Sequence, residues 1–290
     1  MSTAALALVL LAAVVHASWN LLSKQAASTG AASFIWLLAA AASCLYAPVV
    51  AIVAVISPPH LMAVNWLFLA GTGVLQAGYF LFLQFSYRLG DLSVVYPIGR
   101  GTGALLSALA GVLVLGERPG PVAVAGICLI IGGIIAIGLP AGRRHSSELP
   151  RPAKAVTFAL ATGVFIASYT VWDKYAVGPL HTPPMLQGYA AFPVMVVVFA
   201  PVALRDRKLA EVWRANRPQI LGAAVLAPLA YVLVLVALSF SPVSSVAPTR
   251  EVSVLFGVLL GRTLLGEAGF LRKVIGAAAI VAGILAVAFG

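Results

Sequence analysis

Charge is scarce in this 290-residue chain. Only 9% of its residues are Asp, Glu, Lys or Arg, against about 25% in a soluble domain. Acidic residues are scarcer still, eight against 18 basic ones. With 62% hydrophobic residues and a mean hydropathy of +1.06, too little polar surface remains to clothe a water-soluble core. A cytosolic enzyme, a secreted disulfide scaffold and a nucleic-acid binder are excluded, although the formal net charge is +10. Cysteine is nearly missing. Cys44 and Cys128 both lie in apolar runs without Cys/His ligand spacing, so neither a disulfide framework nor a metal centre is expected. The HExxH, GxSxG and GxxxxGK signatures and paired intramembrane aspartates are absent, so the chain reads as a non-enzyme that needs no cofactor. No basic segment precedes the first apolar run. Residues 3–23 therefore read as a membrane helix, not a signal peptide, although Val15-His16-Ala17 resembles a cleavage site.

What is present is long apolar runs. A bilayer-crossing helix takes about 20 apolar residues, and ten runs can be placed at 3–23, 33–56, 64–87, 92–115, 120–138, 154–174, 183–204, 219–239, 243–263 and 273–289. The stretch from Val122 to Leu139 shows none of the alternation of a barrel strand. The expectation is an all-α integral membrane protein of ten transmembrane helices.

The halves match at one offset of 150 residues. His16-Ala-Ser-Trp19-Asn-Leu-Leu-Ser-Lys24 falls on Ile166-Ala-Ser-Tyr169-Thr-Val-Trp-Asp-Lys174, Arg100 on Arg250, Gly116-Glu117 on Gly266-Glu267 and Gly126 on Gly276. Five helices per half is an odd number, so the halves enter the membrane in opposite orientations, the ground plan of many secondary transporters. On a ten-span scheme fourteen Lys and Arg lie on the face opposite the termini, against Arg118 and Lys174 on the termini's own face. The positive-inside rule then makes the basic face cytoplasmic and places both termini outside.

The His16-Ala-Ser-Trp19-Asn20 segment, Val95-Tyr96-Pro97-Ile98, Leu115-Gly116-Glu117 and the Gly-rich fifth span resemble the EamA branch of the drug/metabolite transporter superfamily, similar to bacterial amino acid exporters. The resemblance covers almost the whole chain. It implies one transporter domain over 1–290, two inverted five-helix repeats at 1–139 and 154–290, and a central cavity for small organic solutes. It also implies a monomer in the bacterial cytoplasmic (inner) membrane, with a small-molecule substrate and the lipid bilayer as partners and no nucleic acid. Members are often expected with cytoplasmic termini, the reverse of the orientation that the charges give.

Polar residues inside the spans are the candidate site. In the first span His16, Trp19, Asn20 and Ser23 share one face, and the sixth repeats the stripe as Tyr169, Trp172 and Asp173. Such a repeated stripe points to a polar cavity, while Trp19 and Trp172, near span ends, also fit interfacial anchors. Gln76 and Tyr79 in the third span and Tyr231 in the eighth read as pathway lining or as packing. Gln84, close to a span end, is expected in water.

Arg100, Arg250 and Glu251 are the most informative charges. They sit about eight residues, or about 12 Å, into their spans, where a charge costs about 2.5–3.5 kcal/mol on insertion scales. Successive helical positions differ by about 100°. Arg250 and Glu251 are thus expected on different faces, with Glu251 meeting Arg100 across the repeat interface. Two readings stay open: a structural ion pair, or an arginine fork that grips a carboxylate. Tyr96-Pro97 and Ala247-Pro248 predict interrupted helices in the fourth and ninth spans. Gly116-Glu117 and Gly266-Glu267 read as turns with solvated acids.

The expected function is export of a small zwitterion with an apolar body, an amino acid and aromatic ones included. A flippase for a lipid-linked intermediate, or another drug/metabolite efflux carrier, is the alternative. Facilitated transport by alternating access is expected, with proton coupling through Glu251, His16 or Asp173 as the other possibility. A Glu251 held permanently by Arg100 would stay ionised.

Overall fold

The computed structural model describes residues 1–26, 31–89, 92–138, 152–253 and 270–289, and in these only helices and their connections occur. An apolar run in lipid satisfies its N–H and C=O groups within one segment only as a helix. The described helices are α1 (Thr3–Ala26), α2 (Ala31–Ile56), α3 (Ala63–Leu89), α4 (Leu92–Leu113), α5 (Pro121–Gly138), α6 (Pro152–Val177), α7 (Pro184–Ala203), α8 (Leu209–Phe240), α9 (Val243–Arg250) and α10 (Phe270–Phe289).

Six of these are long and apolar enough to cross a membrane, namely α1, α2, α3, α6, α7 and α8. Shorter apolar stretches at 98–113, 121–136 and 278–287 lie in α4, α5 and α10. Proline sets the starts of α5, α6 and α7, where its missing N–H leaves no helical bond unmade. α8 begins ten residues before the expected 219. It carries Glu211, Trp213 and Arg214 on an initial segment that bends at Asn216 (φ −127°, ψ 24°), two residues before Pro218.

Of the two interruptions expected, one needs correcting. α4 is unbroken through Tyr96-Pro97, since a proline near a helix start removes one N–H and the remaining ladder holds. The ninth run does break. α9 contains Pro248 and ends at Arg250, and Glu251 turns out of it with φ −71° and ψ −2°. Residues 254–263 of that run lie outside the described residues.

The packing exchanges under a swap of the halves. α1 lies on α8 as α6 lies on α3, α3 on α7 as α8 on α2, and α2 on α7, α4 on α9 and α5 on α10 are self-paired. The self-paired helices run antiparallel. Trp36 Nε1 donates to the Val196 carbonyl (3.1 Å) and Tyr189 Oη to that of Ser43 (3.4 Å), so the sequence rises along α2 as it falls along α7. In the second pair, a methyl group on Gly126 would come within 2.6 Å of the Gly283 carbonyl oxygen, and one on Gly133 within 2.6 Å of that of Gly276. These two contacts are interchanged by the 150-residue offset. Lipid supplies little hydrophobic drive for helices to meet, so backbone-to-backbone approach at small residues is what joins them.

The corner between α8 and α9 is held from both halves. Lys174 Nζ donates to the carbonyls of Leu238 (2.7 Å) and Ser241 (2.9 Å) at the end of α8. The Glu117 carboxylate accepts from the N–H groups of Val243 (2.7 Å) and Ser244 (2.8 Å) at the start of α9. A cation at a helix C-terminus and an anion at an N-terminus each complement the helix dipole. Glu117 is therefore a helix cap and not the solvated acid expected from its place in a turn. Gly116 makes the turn with φ +68°, a backbone state that favours glycine. Gly266 and Glu267 lie outside the described residues.

Candidate functional site

α4 and α9 cross where the two halves meet and bring Arg100, Arg250 and Glu251 together. Arg100 Nε donates to Glu251 Oε2 at 2.6 Å, and Arg100 Nη2 to Ser253 Oγ at 3.3 Å. Arg250 Nε lies 3.5 Å from Glu251 Oε1 without hydrogen-bond geometry. The expectation that Arg250 and Glu251 diverge fails because α9 ends between them, so the 100° rule of a continuing helix does not apply. Exposures of 2% for Arg100, 4% for Arg250 and 0% for Glu251 exclude snorkelling to water.

The bonding is lopsided. Arg100 Nη1, Arg250 Nε and Nη2, and Glu251 Oε1 have no hydrogen-bond partner. Two guanidiniums and one carboxylate leave a surplus of one positive charge, and that surplus sits on the arginine that is less well held.

His16, Tyr79 and Tyr96 border the cluster. The Tyr96 ring centroid is 6.0 Å from the Arg100 guanidinium carbon, and the fields of Arg100 and Arg250 reach His16 and Tyr79. His16 Nδ1 accepts from Trp19 Nε1 at 3.1 Å, which leaves Nε2 buried and unpartnered. Tyr79, Tyr169 and Tyr231 stand edge to face in a row, with ring centroids 5.7 Å and 6.0 Å apart.

At the far end of that row is a second polar cluster. Asp173, 0% exposed, accepts from Gln187 Nε2 through Oδ1 at 2.8 Å and from the Tyr231 hydroxyl through Oδ2. Thr72 Oγ1 lies 3.5 Å from the same hydroxyl.

Other candidates fall elsewhere. Trp19 is buried against Phe80 and is no interfacial anchor. Asn20 Nδ2 turns back to the His16 carbonyl of its own helix at 2.8 Å. Trp172 stacks on Phe68 (4.2 Å), donates to the Phe68 carbonyl and lines a groove of about 550 Å³ with Leu106, Val114, Val164 and Tyr175. Val114, Val164 and Tyr175 in its wall are exposed, and no arginine lines it. Gln76 is buried with Nε2 unpartnered, and Gln84 is buried with Oε1 unpartnered, contrary to the expectation of solvation, because α3 continues to Leu89.

Thr72, Gln187 and Ser253 were not anticipated as site residues. The 150-residue offset carries a signal for the first cluster and the second alike. Glu251 falls on Gly101, Asp173 on Ser23, Gln187 on Leu37, Tyr231 on Leu81 and Thr72 on Gly222, so the two halves disagree where the chemistry is concentrated. Among the described residues no group of three or more His, Cys, Asp or Glu is arranged to hold a metal.

The sequence model of the EamA-like transporter family matches residues 3–139 and again residues 153–289. Among solved structures 28 chains match. One, described only as the crystal structure of a protein, aligns over 99% of this chain and 99% of its own at 16% identity with a TM-score of 0.76, a likeness of fold. No curated protein matches.

Proposed function

The chain belongs to the EamA-like transporter family, and from that premise we propose a secondary transporter that exports amino acids, aromatic ones among them, by alternating access. Ten membrane crossings form one domain over 1–290, built from inverted halves at 1–139 and 154–290. The antiparallel course of α2 against α7 and α5 against α10 supports the inversion. The protein works as a monomer in a bacterial inner membrane, with both termini outside by the distribution of Lys and Arg.

The observation that carries the substrate class is the surplus guanidinium. Arg100 is engaged by Glu251 and Ser253, while Arg250 keeps unpartnered N–H groups inside the bundle. A carboxylate held by that planar fork would satisfy both the charge and the hydrogen bonds. The tyrosines of α3, α6 and α8 would offer the apolar body of the solute its aromatic wall, with His16, Tyr96 and Gln76 beside it. Trp19, Asn20 and Trp172 shape the surroundings from the core and the lipid side.

Purified protein in liposomes tests this with labelled phenylalanine and phenylalaninamide. Phenylalanine flux should exceed that of empty vesicles, and Arg250→Lys should depress it more than it depresses the amide flux, since Lys keeps the charge and loses the fork. The apolar groove of about 550 Å³ beside Trp172 favours a second reading, a flippase. Lipid translocation with phenylalanine flux no faster than in empty vesicles would select it.

A further inference from the structure

The repeat supplies an internal control for every polar residue inside the bundle. Where a side chain is needed to build the fold, the other half faces the same need at the equivalent place. Asp173, Gln187, Tyr231 and Thr72 come from α6, α7, α8 and α3, and they converge on one carboxylate. Their counterparts on α1, α2, α3 and α8 are Ser23, Leu37, Leu81 and Gly222. Leu37 and Leu81 both pack against the main apolar cluster. At these four equivalent positions the other half carries no ionisable side chain, so the repeat does not demand a carboxylate with three polar attendants.

The company Asp173 keeps is neutral. Of the elements packed against α6, α3 presents Thr72 and α7 presents Gln187, neither ionisable, and α8 presents the Tyr231 phenol. α4 presents Arg100, already bonded to Glu251 and Ser253. From α9, Arg250 acts on Asp173 through its field alone, with no ion pair between them. On α6 itself Tyr169 lies toward Tyr231, and Lys174 turns its ammonium to the carbonyls of Leu238 and Ser241. A fully buried carboxylate without a cation is among the most unfavourable arrangements in a bilayer. A carboxyl that holds a proton is not: its carbonyl oxygen still accepts from the Gln187 amide, and its O–H donates to the Tyr231 oxygen, which frees the phenol hydrogen for Thr72 Oγ1.

We propose that Asp173 is a proton-binding site through which transport is coupled to a proton gradient. In the closed arrangement described, the carboxyl carries its proton. When α6, α7 and α8 part on one side and water enters, the proton leaves to that water. It is regained from the opposite side before the site closes again. Export of the solute against entry of a proton follows if both sites open together, so the coupling rests on the carrier reading above, whereas the bound proton does not. Glu251 cannot serve, because Arg100 bonds it directly.

Two measurements separate the claims. Infrared difference spectroscopy on the purified protein, with no solute added, should show the C=O stretch of a protonated carboxyl near neutral pH that Asp173→Asn removes and Asp173→Glu restores at a shifted frequency. An absent band, or one that Asp173→Asn leaves in place, overturns the proton site. In liposomes with phenylalanine as the probe, an inward proton gradient should accelerate export by wild type and Asp173→Glu, and the ratio of flux with and without the gradient should fall to unity in Asp173→Asn. Equal acceleration of Asp173→Asn and wild type overturns the coupling. Phenylalanine flux absent from the wild type removes the carrier reading and the coupling with it, and leaves the infrared result to decide the proton site. Thermal melting of each variant in detergent accompanies both measurements. Should Asp173→Asn fail to fold, Asp173→Ser, which installs the residue that the other half tolerates at Ser23, takes its place with the same expected losses.

Discussion

Among the described residues two carboxylates are fully buried in the bundle, and they solve the same electrostatic problem in opposite ways. Glu251 is flanked by Arg100 at 2.6 Å and Arg250 at 3.5 Å. Asp173 has a phenol and an amide for company. Both are 0% exposed. Where dielectric screening is weak, a charge persists only beside an opposite charge, and a lone acid does better by keeping its proton. The difference teaches that the first cluster pairs its carboxylate with cations at short range, while the second leaves its acid without one, the setting that the proposed proton site requires. Asp206, in the connection between α7 and α8, supplies a third case. It sits in water outside the spans and accepts from Ser33 Oγ at 2.5 Å and from the Lys208 N–H at 2.9 Å.

The largest way to break the comparison is Glu251→Gln, which strands two guanidiniums without a counter-charge. Removing one member of a buried ionic group costs about 3–5 kcal/mol. Melting in detergent should fall sharply, and an unchanged melting temperature would remove the ionic description. Arg250→Lys comes next. Loss of a bidentate charge-assisted contact of about 1.5–3 kcal/mol should lower the ratio of phenylalanine to phenylalaninamide flux by about tenfold or more. Arg100→Lys, on the partner already engaged, should move melting more than that ratio. Equal ratios in wild type and both variants would reduce the cluster to a structural ion pair.

Asp173→Asn sharpens the contrast from the other side. A neutral amide replacing a neutral carboxyl of the same shape should change stability by about 1 kcal/mol or less, well below the effect at Glu251. A loss as large as that of Glu251→Gln would mean that Asp173 is ionised in the folded protein. The smallest effect is expected at Asp206. The Ser33 hydroxyl, and then the Lys208 N–H, hold its carboxyl below the ordinary value. A depressed acid contributes stability above the ordinary carboxylate range, and that contribution vanishes as pH falls through the lowered value. Wild type and Asp206→Asn should therefore differ slightly near neutral pH and converge in strong acid. Divergence on acidification would reverse the assignment.

Much of this was legible before any coordinates. Apolar runs placed the described helices to within a few residues, apart from the early start of α8 and the short α9. Arg100 and Arg250 stood out because a charge deep in an apolar run has few places to go. The pairing within the cluster was less legible. Whether Arg250 and Glu251 share a face depends on where α9 stops, and Pro248 marks a break without fixing the residue after which it falls. The capping by Glu117 was invisible for a different reason. A turn acid meets solvent by default, and only the fold carries the α9 N-terminus to it from more than a hundred residues away. Gln84 went astray because helical periodicity assigns a face but not what stands opposite. The imbalance between the halves at Thr72, Asp173, Gln187 and Tyr231 was in the sequence all along, but similarity between repeats draws the eye to matches such as Arg100 and Arg250, and the second cluster is built from mismatches.

The glycine seam between α5 and α10 bears on how the protein is made. Gly126 and Gly133 meet Gly283 and Gly276, about 150 residues further on, and α1, α2 and α3 likewise find their main neighbours in the second half. At ordinary translation speeds of about 5–20 residues per second, α5 is made roughly 7–30 s before α10 exists to cover it. During that interval the first half stands in lipid with its backbone-lined face unfilled. The halves are thus not two modules that fold and then dock, but two strands of one braid that is tied only when α10 arrives.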